Sequence, residues 1–176
     1  MRKEIEVKAK VDDIGKVSQK LIELGCVLSD SVIQNDTIFV DDNYGEFDKF
    51  QPGKNLLRIR DANGKFFFTI KQPQSNEQDA IEYETEITNP KEMKEAILLM
   101  GYHEAIQVKK KRIKTKYNDW EICLDQVEGL PSSIEVEEIA DDPDAGAVQD
   151  KLFNFLMSLG LKKEDRLTEG YDTMLY

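Results

Sequence analysis

The sequence predicts an α+β fold in which helices pack on the outside of a curved β-sheet. Three observations favour this fold class. Eight segments alternate apolar and polar residues as strands do, three segments have helical periodicity, and three of the strands run directly into those helices. The chain has 176 residues, 40% of them hydrophobic, which is enough for one well-formed core and too little for two. We therefore expect one domain that spans residues 1–176.

The strands are predicted from runs in which β-branched, aromatic and other apolar residues alternate with polar ones. They are Arg2–Lys10, Gln34–Val40, Asn55–Asp61, Lys65–Gln72, Ile81–Ile87, Gln107–Tyr117, Trp120–Val127 and Ile134–Ile139. Helices are predicted where apolar residues recur every three to four positions. These positions are Ile14, Val17, Leu21 and Leu24 in the first helix, Met93, Ile97 and Met100 in the second, and Val148, Leu152, Phe155 and Leu159 in the third.

Residues at the helix ends support this placement. Asn89-Pro90 and Asp142-Pro143 each combine a capping side chain with a proline that fits a first helical turn. Gly25, Gly101 and Gly160 stand where a helix that ends in a left-handed residue needs glycine. A strand with two acids at alternate positions precedes each helix. The three units are either a weak internal repeat or three common strand–helix units.

Charged residues occupy one face of several predicted strands. In the first strand, Glu4, Glu6 and Lys8 point away from the side that carries Ile5 and Val7, because successive side chains alternate across a strand. The charged faces of the other strands carry Arg58 and Arg60, Lys71, Glu82, Glu84 and Glu86, Lys110, Arg112, Lys114 and Lys116, and Glu135 and Glu137. Most of these rows are either basic or acidic, whereas a merely soluble face usually mixes the two signs.

Two interpretations of the charged rows are open. They can face solvent while the apolar rows meet in the core, as on any half-buried sheet. Alternatively, the helices cover the apolar faces and the charged rows line the interior of a barrel. Dry burial would cost several kcal/mol per ion, so such an interior would be a wet tunnel that holds charged ligands. Its carboxylates would suit Mg²⁺ or Mn²⁺, and its basic side chains would suit phosphate oxygens.

The composition argues against several classes of function. With a formal net charge of −11, the chain lacks the basic surface that nucleic-acid polymers require. There is no apolar run of about 18 residues and no charged-then-apolar leader, so we expect a cytoplasmic protein without a membrane partner. Cys26, Cys123 and His103 have no metal-ligand spacing, which argues against a zinc or thiol centre.

Short motifs follow one another along the predicted strands. The first is Glu4-Ile5-Glu6-Val7-Lys8, an E-x-E-x-K pattern. The others, in order, are Gln34–Phe39, Leu57–Arg60, Thr69–Lys71, Lys110–Arg112, Leu124–Leu130 and Ile134–Glu137. Each motif alone is weak, but the ordered series covers nearly the whole chain. In this order it resembles the CYTH family, the triphosphate tunnel metalloenzymes that include class IV adenylyl cyclases and thiamine triphosphatases.

The resemblance implies an eight-stranded, closed antiparallel β-barrel whose tunnel holds a triphosphate, with helices packed outside. It implies that Mg²⁺ or Mn²⁺ is bound by carboxylates of Glu4, Glu6, Glu84, Asp125, Glu135 and Glu137. It also implies that the triphosphate is held by Lys8, Arg58, Arg60, Lys71, Lys110 and Arg112, with Lys8, Arg112 and Asp125 as catalytic residues. Glu82 and Glu86 share the strand face of Glu84, so the choice among the three is open. Lys114 and Lys116 are expected at the surface, beyond the tunnel mouth.

Two enzymatic reactions fit the same motifs. In an adenylyl cyclase, the ribose 3′-hydroxyl of ATP attacks the α-phosphorus and pyrophosphate leaves. In a phosphohydrolase, water attacks a terminal phosphorus of tripolyphosphate, thiamine triphosphate or a nucleotide. Asp125–Leu130 and Gly170–Leu175 look most similar to the class IV adenylyl cyclases. A triphosphate sensor without turnover is the non-enzymatic alternative.

Further features concern the rim of the tunnel and the assembly. Asp41–Pro52 is an acidic segment with two phenylalanines, and it forms either a lid over a substrate base or a plain mobile loop. Trp120 and Tyr171 are candidates for stacking on a base, with core or interface packing as the ordinary alternative. A homodimer is also compatible with the sequence.

Overall fold

All eight predicted strands and all three predicted helices are present in the computed structural model, which describes residues 2–47, 49–141 and 144–176. The strands are β1 (Arg2–Lys10), β2 (Val32–Asp41), β3 (Leu56–Ala62), β4 (Lys65–Asn76), β5 (Asp79–Ile87), β6 (Tyr102–Tyr117), β7 (Trp120–Val127), β8 (Ser133–Asp141) and β9 (Arg166–Leu167). The helices are α1 (Ile14–Glu23), α2 (Pro90–Leu99), α3 (Ala145–Ser158) and α4 (Tyr171–Leu175). The sequence does not predict β9 and α4, because elements this short leave no periodic pattern. Within the described ranges, no helix is long and apolar enough to cross a membrane.

The strands form one antiparallel sheet that closes on itself. Its order is β5-β4-β3-β2-β6-β7-β8-β1, and β1 also pairs with β5. At this seam Glu4 lies opposite Ala80 and Ile5 lies opposite Asp79. Further along β1, Lys8 lies opposite a residue of β9. The eight-stranded, closed antiparallel barrel implied by the family resemblance is therefore confirmed, with β9 as an additional strand.

Helices cover the apolar faces of the barrel strands. Leu21 of α1 and Leu156 of α3 are fully buried in a core formed with β1, β7 and β8. The buried members of that core are Val7, Ala9, Val11, Val17, Leu21, Cys26, Ile122, Leu124, Ile134, Val136, Leu152, Phe153, Leu156, Leu159 and Leu161. Ile97 of α2 packs in a second cluster with Leu57 and Ile59. Because the apolar faces lie under helices, the opposite faces of the same strands point into the barrel. Of the two interpretations of the charged rows, solvent-facing or interior, the structure therefore supports the charged interior.

The helix ends agree with most of the predicted caps. The Asn89 side chain accepts a hydrogen bond from the backbone amide of Glu92 and caps α2. In α3 the capping side chain is Asp144, whereas Asp142-Pro143 lies outside the described residues. The glycines that follow α1, α2 and α3 have positive φ angles, 87° at Gly25, 85° at Gly101 and 93° at Gly160. These left-handed residues are the predicted helix ends.

Aromatic and apolar side chains pack inside one end of the barrel. Tyr44 and Phe47, from the segment between β2 and β3, are buried in a cluster with Ile38 and Val40 of β2. Phe50 is 39% exposed, and Asp48 lies outside the described residues. The segment Asp41–Pro52 is therefore anchored to the barrel end through two of its aromatic rings.

Leu156→Ala is expected to lower the free energy of unfolding by about 2–5 kcal/mol, because it truncates a fully buried side chain between α3 and the barrel. Urea unfolding followed by circular dichroism measures this quantity. Leu99→Ala is the matched control. Leu99 is 89% exposed, so its truncation should change the free energy by no more than about 0.5 kcal/mol. Equal losses in the two variants would contradict the packing of α3.

Candidate functional site

The barrel encloses a cavity of about 400 Å³ whose wall is mostly charged and receives side chains from all eight barrel strands. The basic residues on the wall are Arg2, Lys8, Arg58, Arg60, Lys71, Lys110, Arg112 and Lys114. The acidic residues are Glu4, Glu6, Asp36, Glu82, Glu84, Glu121, Glu135, Glu137 and Asp172. All residues predicted to hold a triphosphate therefore line one cavity, together with the predicted metal ligands other than Asp125.

A buried cluster of ion pairs joins β1, β6, β7 and β8. Arg112 Nε donates to Asp125 Oδ1 at 2.7 Å, while Arg112 Nη2 contacts both Asp125 and Glu135. Glu135 Oε1 in turn lies 3.2 Å from Lys8 Nζ. Burial acts to raise the pKa of Glu135, but Arg112 and then Lys8 outweigh it and hold that pKa below its ordinary value. The side chains of Lys8 and Asp125 are almost fully buried, so these charges depend on one another.

Asp36 organises a second set of ion pairs. Arg60 binds both of its carboxylate oxygens, with Nε–Oδ1 at 2.7 Å and Nη2–Oδ2 at 2.8 Å, and Lys110 Nζ lies 3.2 Å from Oδ2. Burial acts to raise the pKa of Asp36, yet Lys110 and Arg60 hold it well below its usual range. Burial and then Arg112 lower the pKa of Lys110 to about 8. Asp36 is a site residue that the sequence prediction missed. The indication available in the sequence was the position of Asp36, which is an acidic residue on the same face of its strand as Ile38.

Arg58 and Lys71 face the acids of β5. Arg58 Nη2 lies 3.0 Å from Glu82 Oε1 and 3.1 Å from Glu84 Oε2. Lys71 Nζ is more loosely engaged, at 3.9 Å from Glu82. The side chain of Glu82 is 13% exposed and that of Glu84 is 38% exposed, so Glu82 is the more enclosed acid. Both line the cavity, whereas Glu86 is exposed and lies outside its lining.

Carboxyl groups crowd together where β1 and β8 meet. Glu4 and Glu137 lie within hydrogen-bonding reach of each other, and Glu82 lies close to Glu4. Burial and then the neighbouring Glu4 raise the pKa of Glu137 to about 10. Burial and then Glu82 raise the pKa of Glu4 as well. Near neutral pH this pair therefore retains a proton, and a bound cation would favour its release.

The donor set suits a cation that arrives with its substrate. Among the described residues, no three His, Cys, Asp or Glu side chains converge closely enough to hold a metal ion by themselves. Mg²⁺ commonly uses one or two carboxylates together with substrate phosphates and water, and Glu4 and Glu137 supply that number. Asp125 is differently placed, because its oxygens accept hydrogen bonds from Arg112 and from the hydroxyl of Tyr171.

The sequence also predicts positions for Lys114, Lys116 and Trp120, which can be compared with the structure. Lys114 is exposed, as expected, with 46% of its side chain accessible, but it also borders the cavity and pairs with Glu121, so it lies at the rim of the tunnel rather than beyond it. Lys116 is exposed, as expected. Trp120 packs edge-on against Phe155, with 5.3 Å between ring centroids, which is the ordinary packing alternative for this residue.

Comparisons with known proteins agree with this architecture. Residues 2–171 match the CYTH domain family. A protein of Methanocaldococcus jannaschii, provisionally named an adenylate cyclase, is 31% identical over 173 residues, which are 96% of this chain and 95% of that protein. A solved structure from Pyrococcus horikoshii is similar with a TM-score of 0.79 and 27% identity, over 96% of this chain and 97% of the other.

A more distant solved structure shares the fold. It is a protein of Hippeastrum, provisionally named an adenylyl cyclase and described as having a dominant triphosphatase activity. The TM-score is 0.59 at 20% identity, with 97% of this chain and 91% of the other covered. The family match extends over all eight barrel strands, and the M. jannaschii relative covers nearly the whole chain. The chain therefore belongs to the CYTH family.

Proposed function

We propose that this chain is a metal-dependent enzyme that acts on a small triphosphate held in the barrel tunnel. The observation that carries the proposal is one cavity in which basic side chains of β1, β3, β4 and β6 stand beside the paired carboxyl groups of Glu4 and Glu137. The basic groups match phosphate oxygens, and the carboxylates match a hard divalent cation such as Mg²⁺ or Mn²⁺. The name of the M. jannaschii relative supports the same class of substrate.

Two basic groups on the wall have donors to spare for phosphate. Arg60 Nη1 is 3.8 Å from Glu84, and Lys71 Nζ is 3.9 Å from Glu82, both beyond hydrogen-bonding distance. Both groups could therefore donate to a phosphate oxygen without giving up a hydrogen bond that they already make. Because these donors lie at separate places on the cavity wall, they favour an anion with several phosphate groups over a single small anion.

A divalent cation is needed to balance the charges. Asp36 and Glu135 already neutralise part of the basic wall, so a triphosphate adds negative charge to a site with little positive charge left over. A cation held by Glu4 and Glu137 would offset phosphate charge and lower the pKa of an attacking hydroxyl or water. Glu6, Glu84 and Glu135, which also line the cavity, remain proposed ligands that would exchange their present basic partners for the metal, whereas Asp125 lies outside the cavity lining and keeps Arg112 as its partner.

The protein itself contributes mainly position and charge. Phosphoryl and nucleotidyl transfer require in-line placement and neutralisation of oxygen charge more than covalent help. Lys8 and Arg112 would donate to the phosphate oxygens from one side of the tunnel. Asp125 holds the guanidinium of Arg112 with both carboxylate oxygens, so its part in catalysis is to orient Arg112.

Adenylyl cyclase chemistry, which converts ATP to cyclic AMP and pyrophosphate, is the first candidate reaction. The whole-length relative and the segments Asp125–Leu130 and Gly170–Leu175 support it. Hydrolysis of tripolyphosphate or thiamine triphosphate is the second candidate. Its specific support is the cavity wall, which is charged over most of its surface and so suits phosphates along the tunnel length. The fold of the Hippeastrum protein shows that such a barrel can accompany triphosphatase activity.

A phosphorus NMR time course distinguishes the two reactions. With ATP and Mg²⁺ or Mn²⁺, we expect pyrophosphate and cyclic AMP to accumulate in equal amounts. Orthophosphate release from tripolyphosphate with ATP spared would establish the phosphohydrolase instead. If ATP, tripolyphosphate and thiamine triphosphate all bind and none is turned over, the protein is a sensor and the enzymatic proposal is wrong.

Glu137→Gln should lower the turnover rate by about 100-fold or more, because it removes one charge from the proposed cation site. Binding of tripolyphosphate without metal should persist, since the basic wall is unchanged. Calorimetric titration and the NMR assay measure these two properties. Glu86→Gln is the control, because Glu86 is exposed outside the cavity. Full activity in Glu137→Gln would exclude Glu137 from the metal site.

The same variant should stabilise the metal-free protein at alkaline pH. The pKa of Glu137 rises from an ordinary 4.5 to about 10 on folding. Between these values the unfolded state releases a proton that the folded state keeps, so the free energy of unfolding falls as pH rises. Glu137→Gln removes this contribution. Its melting temperature in EDTA should therefore exceed that of the wild type at about pH 8.5 and approach it at about pH 5. Glu86→Gln serves again as control, and a lower melting temperature at both pH values would contradict the raised pKa.

A further inference from the structure

Tyr171, the first residue of α4, contacts both ends of the ion-pair cluster around Arg112. Its hydroxyl donates a hydrogen bond to Asp125 Oδ2 at 2.8 Å. Its ring centroid lies 3.8 Å from Lys8 Nζ and 5.4 Å from Lys110 Nζ. Tyr171 is only 6% exposed, so both contacts are shielded from water, which strengthens a cation–π contact and a charge-assisted hydrogen bond.

These contacts close a ring of interactions. The members of the ring, each in contact with the next, are Tyr171, Asp125, Arg112, Glu135 and Lys8, and the ammonium group of Lys8 returns to the face of the tyrosine. Ser133 Oγ lies 2.6 Å from the phenol oxygen. Because the single phenol proton is directed to Asp125, the serine hydroxyl donates to the phenol oxygen. The hydrogen-bonding capacity of the phenol is thus fully used inside the cluster.

The segment that carries Tyr171 is anchored independently of the cluster. Glu77, in the turn between β4 and β5, accepts hydrogen bonds from Gly170 N at 2.6 Å and from Thr173 Oγ1 at 3.1 Å. The cluster itself adds a further contact to the segment, because Lys8 Nζ donates to the carbonyl oxygen of Glu169 at 3.3 Å. The phenol is therefore held in place before any ligand arrives, which is the condition for pre-organising the groups that it touches.

We propose that Tyr171 is a positioning residue of the triphosphate site: its hydroxyl sets the orientation of Arg112 through Asp125, and its ring holds the ammonium group of Lys8. The inference rests on the proposed function, because it assigns Lys8 and Arg112 to the triphosphate. Tyr171 also packs in an apolar cluster with Val108 and Val127. Packing alone needs neither the hydroxyl nor a cation above the ring, so the two roles can be separated by substitution.

Two substitutions remove the polar contacts one at a time. Tyr171→Phe removes the hydroxyl and keeps the ring, so Arg112 keeps its charge but loses part of its orientation. We expect kcat to fall about tenfold, with KM and the Kd for metal-free tripolyphosphate within about twofold of the wild type. Tyr171→Leu also removes the ring, and the Kd for tripolyphosphate should then rise about tenfold. In the Asp125→Asn background, Tyr171→Phe should lower kcat no further, because both changes act on Arg112.

Tyr176→Phe is the matched control, since Tyr176 lies five residues further along the same segment, is 66% exposed and packs its ring against Phe47, with 5.0 Å between centroids. Calorimetric titration with tripolyphosphate gives Kd, and steady-state assays with the triphosphate that the wild type turns over give kcat and KM.

If Tyr171→Phe and Tyr171→Leu lower only the melting temperature and leave kcat and Kd unchanged, Tyr171 merely packs and the proposal is overturned. If the wild type binds tripolyphosphate without turnover, the difference in Kd between the two variants decides the question. A wild type that neither binds nor turns over ATP, tripolyphosphate or thiamine triphosphate would overturn the proposed function itself.

Discussion

Alternation of side chains along eight antiparallel strands governs both the packing and the chemistry of this barrel. On each strand one face packs outward and the other faces the cavity, so core residues are immediate chain neighbours of site residues. In β1, Ile5 and Val7 are fully buried on the outer face, while Glu4, Glu6 and Lys8 line the cavity. A shift of one residue in register would exchange the two sets. The hydrophobic packing beneath the helices therefore fixes the positions of the charges inside.

The interior ion pairs are better explained by ligand binding than by stability. Removing two charges from water costs about as much as their attraction returns, so such pairs seldom stabilise a fold. Asp36 and Asp125 each hold an arginine through both carboxylate oxygens, which fixes the plane of the guanidinium group. Lys71, in contrast, lies 3.9 Å from both Glu6 and Glu82, which is beyond hydrogen-bonding distance. The cavity thus combines groups fixed in orientation with groups ready to accept a ligand.

The sequence predicts which residues face the cavity better than it predicts how they pair. Alternation is a local property with a period of two, so Arg58 and Arg60 could be assigned to one face without knowledge of neighbouring strands. Pairing depends on strand order and stagger. Asp36 meets Arg60 from one neighbouring strand and Lys110 from the other, and no pattern within β2 reveals either partner. The contacts of Tyr171 are equally hidden, since they depend on how a five-residue helix folds back over the barrel.

The position of β1 in the sheet has a consequence for how the protein is made. This strand comes first in the chain, yet it pairs along its whole length with β8, and its other edge pairs with β5 and β9. Contacts between segments so distant in sequence form late, because a long loop must close before they can form. On the ribosome, the strand that carries Glu4, Glu6 and Lys8 would therefore remain unpaired along most of its length until β8 has emerged. The strand that is synthesised before the other seven barrel strands would thus be among the last to take its place in the tunnel wall.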